Sequence, residues 1–287
     1  MIDVALASCL TLPEPDPDEA PLLKALRDRG LVAETWAWDD ADVDWSETRM
    51  VLLRSTWNYY EDLDAFLAWA ARVDEATTLH NPVEVLIWNT HKRYLLELCK
   101  LDVPVVPTEL VVRGDTTQLA ELCTARGWRD IVVKPAVAAA SFGAYMTNAD
   151  DIDQGRFAAL VAERDTLVQP FVESVRSHGE RSVVVIDGQI THSVRKEPRF
   201  GDDDESVSGP HPIAPDDAKL VHDAIAAIPG EGTLLYTRVD IVRDTDGAPM
   251  VSELELAEPS LFFPYSDEAL ARMVTGVERT LAQGLRQ

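Results

Sequence analysis

The stretch PMVSELELAEPSLFFPY, residues 249–265, puts Glu253, Glu255 and Glu258 at the end of an apolar, strand-like run. Asp240 lies in an earlier run, LLYTRVDIVRD, and the Asp246-Gly247 pair between the two is a hairpin signal. Residues two apart on one strand share a face, so Glu253 and Glu255 point the same way and Asp240 opposes them across the antiparallel pair. Three close carboxylates need cations, and an oxygen-only set suits Mg²⁺, which keeps waters and shares its other positions with phosphates. The hairpin taken alone also fits a solvated acidic strand.

Two lysines change that balance in a chain with only six. Lys92 follows Asn89-Thr90 at the start of a helix, and Lys134 ends the apolar strand DIVV. A strand-end lysine ordinarily snorkels to the surface. The small-residue loop AAASFGAYM behind Lys134 is instead a place where a phosphate chain lies under backbone. There is no GxxxxGK[ST] and no strand-GxGxxG-helix pattern, so neither a P-loop nor a Rossmann site is supported.

Substrate residues are sought at Arg54, Ser55 and Asn58, which follow the third strand, because open α/β sheets hold ligands beyond the carboxyl ends of their strands. Arginine there suits a substrate carboxylate. Trp57 and Tyr59 fit equally well as packing at a domain junction. Glu258 and Ser260 stand where they meet a substrate amine and carboxylate, whereas His192 and His211, alone beside polar loops, read as structural.

The elements that must position these groups follow from periodicity. Residues 2–9, 32–38 and 49–57 read as strands, 17–30 and 61–76 as helices, giving an open α/β unit that breaks at LHNP. Residues 83–101 read as a helix interrupted near Asn89-Thr90. Then come the extended VPVVPTELVV, a helix over 116–128, strand 130–137, helix 157–164 and strand 166–174. Asp187-Gly188 joins two strands over 181–198, FGDDDESVSGPHP reads as a loop, and helices over 215–228 and 267–285 flank the second hairpin. Boundaries are expected at 1–86, 87–173 and 174–287: an N-terminal substrate-side unit, a central unit and a C-terminal unit with the metal site.

With 287 residues, 46% of them hydrophobic, the chain can bury a large core. Its 26 basic against 50 acidic residues, a formal charge of −24, argue against nucleic acid or an anionic membrane as partner. Three cysteines far apart fit neither a zinc spacing nor a disulfide framework and indicate a reducing, cytoplasmic setting. Leu6-Ala7-Ser8-Cys9 looks like a lipoprotein box, yet no basic residue precedes it; it reads as a buried strand.

Taken in order, Lys92, Lys134 with its loop, LVQPFVE, GERSVVVIDG, VRK, RVDIV and ELELAEP resemble the ATP-grasp superfamily from about Asn81 to the C-terminus. RSTWNYYEDLDAFLAW, NPVEVLIWNTHKRYLLEL, VPVVPT, ITHSVRKEPRFGD and ELELAEPSLFF are most similar to the D-cycloserine-forming family that closes O-ureido-D-serine. Glutathione synthetase and glutamate-adding ligases are more distant likenesses. The resemblance implies an α/β ATP-grasp fold behind an N-terminal open α/β domain, and an ADP-forming C–N ligase acting on a small amino-acid-like substrate. It implies ATP, with Lys92 and Lys134 on its α- and β-phosphates, Gln169 and the backbone of Phe171 and Val172 at adenine, and Glu180 at the ribose. It further implies two Mg²⁺, replaceable by Mn²⁺, on Asp240, Glu253 and Glu255, and Arg195 or Lys196 stabilising the phosphoryl group in transfer. The family's phosphate loop commonly carries glycines where this chain has Ala138, Ala139 and Ala140, with only Gly143. Amide ligation between two molecules, a silent nucleotide-binding protein and a homo-oligomer remain open alternatives.

Overall fold

The all-buried run Val4–Ser8 forms β1, the centre of a parallel sheet, as expected for a strand covered on both faces. The computed structural model describes residues 1–139, 142–197, 206–230 and 234–284. In the first sheet, β2 (Ala33–Ala37), β1, β3 (Met50–Ser55) and β4 (Thr78–His80) lie in that order, all parallel. Strand alternation sorts its side chains: Val4, Leu6, Met50 and Leu52 pack with Leu22 and Leu26 of α1 (Glu19–Asp28). Ala5, Ala7, Val51 and Leu53 pack on the other face with Phe66, Trp69 and Val73 of α2 (Leu63–Ala76). Strand β4 adds an edge within the segment read above as a break.

The chain then crosses through α3 (Val83–Asn89) and α4 (Tyr94–Lys100), separated where the interruption was expected. A second, antiparallel sheet has the order β5-β8-β6-β7, with β5 Glu109–Val111, β6 Asp130–Pro135, β7 Tyr145–Asn148 and β8 Thr166–Pro170. Its apolar face packs on α5 (Leu119–Arg126) and α6 (Gln154–Glu163). The small-residue loop is thus shorter than expected, since Tyr145 and Met146 open β7; Ala140 lies outside the described residues.

The third sheet is antiparallel, β11-β10-β9-β12-β13. Strands β9 (Glu180–Ile186) and β10 (Gln189–Glu197) join through Asp187 and Gly188, both at positive φ (52° and 71°), the left-handed pair that a tight hairpin requires. Within FGDDDESVSGPHP, residues 200–205 lie outside the described residues and Ser206–Ser208 form β11 rather than loop. After the single turn α7 (Ser174–Ser177) and α8 (Pro215–Ala226), β12 (Tyr236–Arg243) and β13 (Pro249–Glu255) make the second hairpin. Helix α9 (Asp267–Gly284) buries Met273, Val277 and Leu281 in the same core as α1 and Val184, Ile186 and Val194 of the third sheet.

The outer edge of β13 is covered by the segment that carries Lys92. Asn89 donates through Nδ2 to Leu254 O (2.7 Å) and accepts from Leu256 N–H (2.8 Å), while Leu254 N–H donates to the Tyr94 hydroxyl (3.0 Å). Side chains thus satisfy an edge that would otherwise expose unpaired backbone.

Candidate active site

A cleft of about 700 Å³ opens between the second and third sheets. Lys134, Met146 and Gln169 line one wall, with Phe171 and Val172 beyond the end of β8. Lys196, Arg238, Glu253 and Glu255 line the other, and Trp57, Glu258 and Ser260 enter from the side of the first sheet.

The register of the second hairpin pairs Asp240 with Glu253 and Arg238 with Glu255. A bulge between Asp240 and Ile241 leaves Ser252 unopposed, and Ser252 turns into the cleft, where its hydroxyl donates to Glu180 Oε2 (2.9 Å). The acids alternate with cations. Glu253 contacts Lys92 Nζ at 2.9 Å and Lys134 Nζ at 3.9 Å. Asp240 receives Arg238 Nε and Nη2, each at 2.9 Å, and Lys196 Nζ at 2.7 Å. Arg238 Nη2 also donates to Glu255, and Lys196 reaches Glu180 at 2.6 Å.

These contacts set the protonation states. Burial works to raise the Glu253 carboxyl, but Lys92 and Lys134 hold it down to about 2. Asp240 is likewise held well below the usual carboxylate range by Arg238 and Lys196 against its burial. Burial pushes Glu255 up to about 8, with Asp240 and Glu253 adding to the rise and Arg238 opposing it. Glu258 is pushed up to about 7, again first by burial, which Lys92 opposes and Glu253 reinforces. Burial, then Lys92 and Lys196, lower the Lys134 ammonium, with Glu253 and Glu180 opposing. Near neutral pH Glu255 therefore keeps its proton for the most part, and Glu258 is about half protonated.

Several expected residues meet there: Lys92, Lys134, Gln169, Phe171, Val172, Glu180, Lys196, Glu253, Glu255, Glu258 and Ser260 all line the cleft, and Asp240 sits directly behind, bound to Arg238 and Lys196. Lys92 is anchored further by donating to Ala138 O (2.7 Å), which ties it to the small-residue loop. One Gln169 amide hydrogen is taken by Thr108 Oγ1 (2.8 Å).

Others do not meet it. Arg195, adjacent to Lys196 on β10, points to the opposite face, where Nε donates to His178 O (2.9 Å), Nη2 to Ser177 O (3.1 Å) and Nη1 pairs with Glu197. Of the two proposed phosphoryl-stabilising cations, only Lys196 faces the cleft. Arg54 is 1% exposed, donates through Nη2 to Pro259 O (2.9 Å), and lies over the Tyr236 ring. Its neighbour Ser55 is spent on Ser8 (3.0 Å), and Asn58 on Trp38 and Asp39. None of the three lines the cleft, so packing behind it overrides the strand-end rule. His192 is buried, and burial lowers its pKa, in keeping with a structural role.

The metal expectation changes in form. Among the described residues no three His, Cys, Asp or Glu side chains converge as a ready-made metal site. Glu253 is instead held by Lys92 and Lys134, while Asp240 and Glu255 share the Arg238 guanidinium. The donor chemistry still fits Mg²⁺: oxygen-only ligands on one hairpin face, with Arg238 the one cation in contact with Glu255 among the described residues. Arg238 is the cleft residue missed at the sequence level. Its signal was the R-x-D spacing, which puts Arg238 and Asp240 on one strand face.

A family model described as the N-terminal domain of D-cycloserine synthetase DcsG matches residues 4–81. The cycloserine biosynthesis protein DcsG of Streptomyces lavendulae is 33% identical over 93% of this chain and 94% of its own length. The crystal structure of D-cycloserine synthetase DcsG superposes with a TM-score of 0.88 at 32% identity, covering 97% of this chain and 99% of that one. D-alanine–D-alanine ligase from Bacillus anthracis shares the fold at 14% identity, with a TM-score of 0.68 over 99% and 98% of the two chains. The side chains that line this cleft thus sit on an ATP-grasp ligase fold, and the chain belongs to the D-cycloserine synthetase DcsG family.

Proposed function

We propose that the protein is an ADP-forming C–N ligase that activates the carboxylate of a small amino acid with MgATP and closes O-ureido-D-serine toward D-cycloserine. The observation that carries this is the alternation Lys92–Glu253–Lys134 and Lys196–Asp240–Arg238–Glu255 along one wall of a single cleft. Cations held in place by buried and half-buried carboxylates are already oriented for the charge that develops in phosphoryl transfer.

In this reading Lys92 and Lys134 hold the phosphates of ATP, Gln169, Phe171 and Val172 border adenine, and Glu180 meets the ribose. Asp240, Glu253 and Glu255 would hold Mg²⁺, which when bound neutralises phosphate charge and aligns the transferring group. Arg238 and Lys196 face the γ-phosphate as a substrate carboxylate oxygen attacks phosphorus and ADP leaves. The substrate's N–O nitrogen then attacks the acyl carbon, phosphate departs with the C–O electron pair, and the nitrogen gives up a proton. The carbamoyl group it still carries passes to water and leaves as carbon dioxide and ammonia, which yields D-cycloserine. Glu258, kept partly protonated near neutrality, borders the substrate amine together with Ser260. The need for MgATP and the three free cysteines support a cytoplasmic setting for this reaction.

The test is ADP release with O-ureido-D-serine as sole amino acid, with product mass recorded. Ring closure within one molecule benefits from intramolecular reach, so turnover needs no second amine. Turnover only when two different amino acids are supplied would replace the cyclising reading by intermolecular ligation. No ADP release with any amino acid would leave a silent nucleotide-binding protein.

A further inference from the structure

The loop that follows β13 is irregular and buried, yet side chains from distant elements take up seven of its backbone groups. Four successive carbonyls accept from four different residues: Ala257 O from the Tyr236 hydroxyl (3.2 Å), Glu258 O from Trp57 Nε1 (3.2 Å), Pro259 O from Arg54 Nη2 (2.9 Å) and Ser260 O from Arg238 Nη1 (3.3 Å). The next three N–H groups, of Leu261, Phe262 and Phe263, all donate to the Asp18 carboxylate, at 2.5, 3.0 and 2.7 Å. Asp18 is fully buried, and its Oδ2 stands 3.5 Å from Arg54 Nη2. Phe262 sits at φ +52°, a conformation that a bulky side chain keeps only where its surroundings over-determine it.

Buried backbone must find partners, and a loop could find them in many ways. Here the partners from the N-terminal sheet, Asp18 at the start of α1 and Arg54 at the end of β3, grip the loop from behind, while Glu258 and Ser260 on the same loop line the cleft. We infer that Asp18 and Arg54 are positioning residues: they fix the Glu258–Phe263 loop as the amino-acid side of the cleft and set affinity for the amino-acid substrate without touching it. This rests on the reading of the cleft as an amino-acid ligase site. It gives Arg54 a role different from direct capture of a substrate carboxylate.

The test compares wild type with Asp18→Asn and Arg54→Lys in steady-state ADP release, and follows hydrogen exchange at the loop amides. Asp18→Asn puts an amide in place of the carboxylate that accepts three N–H groups. It is expected to raise KM for O-ureido-D-serine about tenfold or more while KM for ATP stays within about twofold. Exchange at Leu261, Phe262 and Phe263 should accelerate with β9 and β10 still protected. Arg54→Lys keeps a charged donor, so it should shift the same two readouts in the same direction but less, and it stands in if Asp18→Asn does not fold. An equal rise in both KM values, or protected loop amides in Asp18→Asn, overturns the inference. A raised KM in Arg54→Lys with unchanged exchange would put Arg54 on the substrate and overturn it equally. If the wild type itself releases no ADP with O-ureido-D-serine, the cyclising reading falls, and the inference is decided by exchange at residues 261–263.

Discussion

Arg238 stands directly opposite Glu255 in the register of β12 and β13, and its guanidinium joins Glu255 to Asp240. A planar fork held by buried Asp240 and half-buried Glu255 is oriented before any ligand arrives, which a lysine cannot reproduce. Arg238→Lys is therefore expected to lower kcat by about 10²–10³, the usual range for losing one preorganised donor at a site of developing charge. Nucleotide binding, which the proposed function assigns to Lys92 and Lys134, should change little. Wild-type kcat in Arg238→Lys would remove Arg238 from the reaction.

Neighbouring residues on β10 give a sharper contrast. Lys196 bridges Asp240 and Glu180 inside the cleft, whereas Arg195 is turned to the other face and bound to backbone carbonyls. Lys196→Ala leaves Asp240 short of one cation in a buried site, so it should abolish ADP release and cost on the order of 3 kcal/mol of stability. Arg195→Ala should keep turnover within about threefold of wild type, with any loss appearing in thermal unfolding. Comparable losses of turnover in both would contradict the strand parity seen here.

That parity marks where the sequence was legible and where it was not. The shared face of Glu253 and Glu255 followed from the period of two, but Asp240 meets Glu253 only because of the bulge at Ile241: an unbroken count from the Asp-Gly turn sets it against Ser252. Arg54 lies where the register between β1 and β3 shifts, from Ala7 opposite Leu53 to Ser8 opposite Ser55, so alternation could not tell which way it points. A similar slip between Ile190 and His192 on β10 separates Arg195 and Lys196 from any count begun at the turn. Asp18 was invisible for another reason: its partners lie 243 to 245 residues away, and no local pattern encodes such a contact. The cations between the acids were foreseen as a need, but Arg238 had to be seen in place.

The protonation states predict a pH response for the nucleotide-free protein. Glu255, pushed up to about 8 by burial with help from Asp240 and Glu253, binds its proton more tightly folded than unfolded, where its ordinary value is 4.5. A raised acid favours the fold most when protonated, so its contribution fades as pH rises from about 4.5 to about 8. Glu253, held at about 2, acts oppositely: its contribution is full above about 4.5 and lost as pH falls toward 2. Thermal unfolding from about pH 5 to about pH 8 should therefore slope downward more steeply in wild type than in Glu255→Gln. MgATP should offset that slope increasingly toward pH 8, because metal binding requires the deprotonated carboxylate, and EDTA should remove most of the effect. Parallel slopes in wild type and Glu255→Gln would sink the reading of Glu255 as an acid whose proton burial holds.

The segment after Lys134 carries alanines where glycine would give more freedom, and its described ends are both held: Ala138 O accepts from Lys92 Nζ (2.7 Å) and the Tyr59 hydroxyl (3.4 Å), and Phe142 stacks on Tyr60 with centroids 4.4 Å apart at 28°. Gly143 turns the chain at φ +69°, where a Cβ would lie 3.0 Å from Pro135 Cγ, so Phe142 is delivered to Tyr60 by a backbone that only glycine accommodates well. An aromatic pair of this kind contributes about 0.5–1.5 kcal/mol beyond its buried area. If the stack holds the loop closed on ATP, Phe142→Ala and Tyr60→Ala should each weaken ATP binding by about two- to tenfold, and the double variant should be no worse than the poorer single one. KM for the amino acid should move less than KM for ATP in all three. Additive losses would show that each ring acts alone, and the closed loop would then owe nothing to their contact.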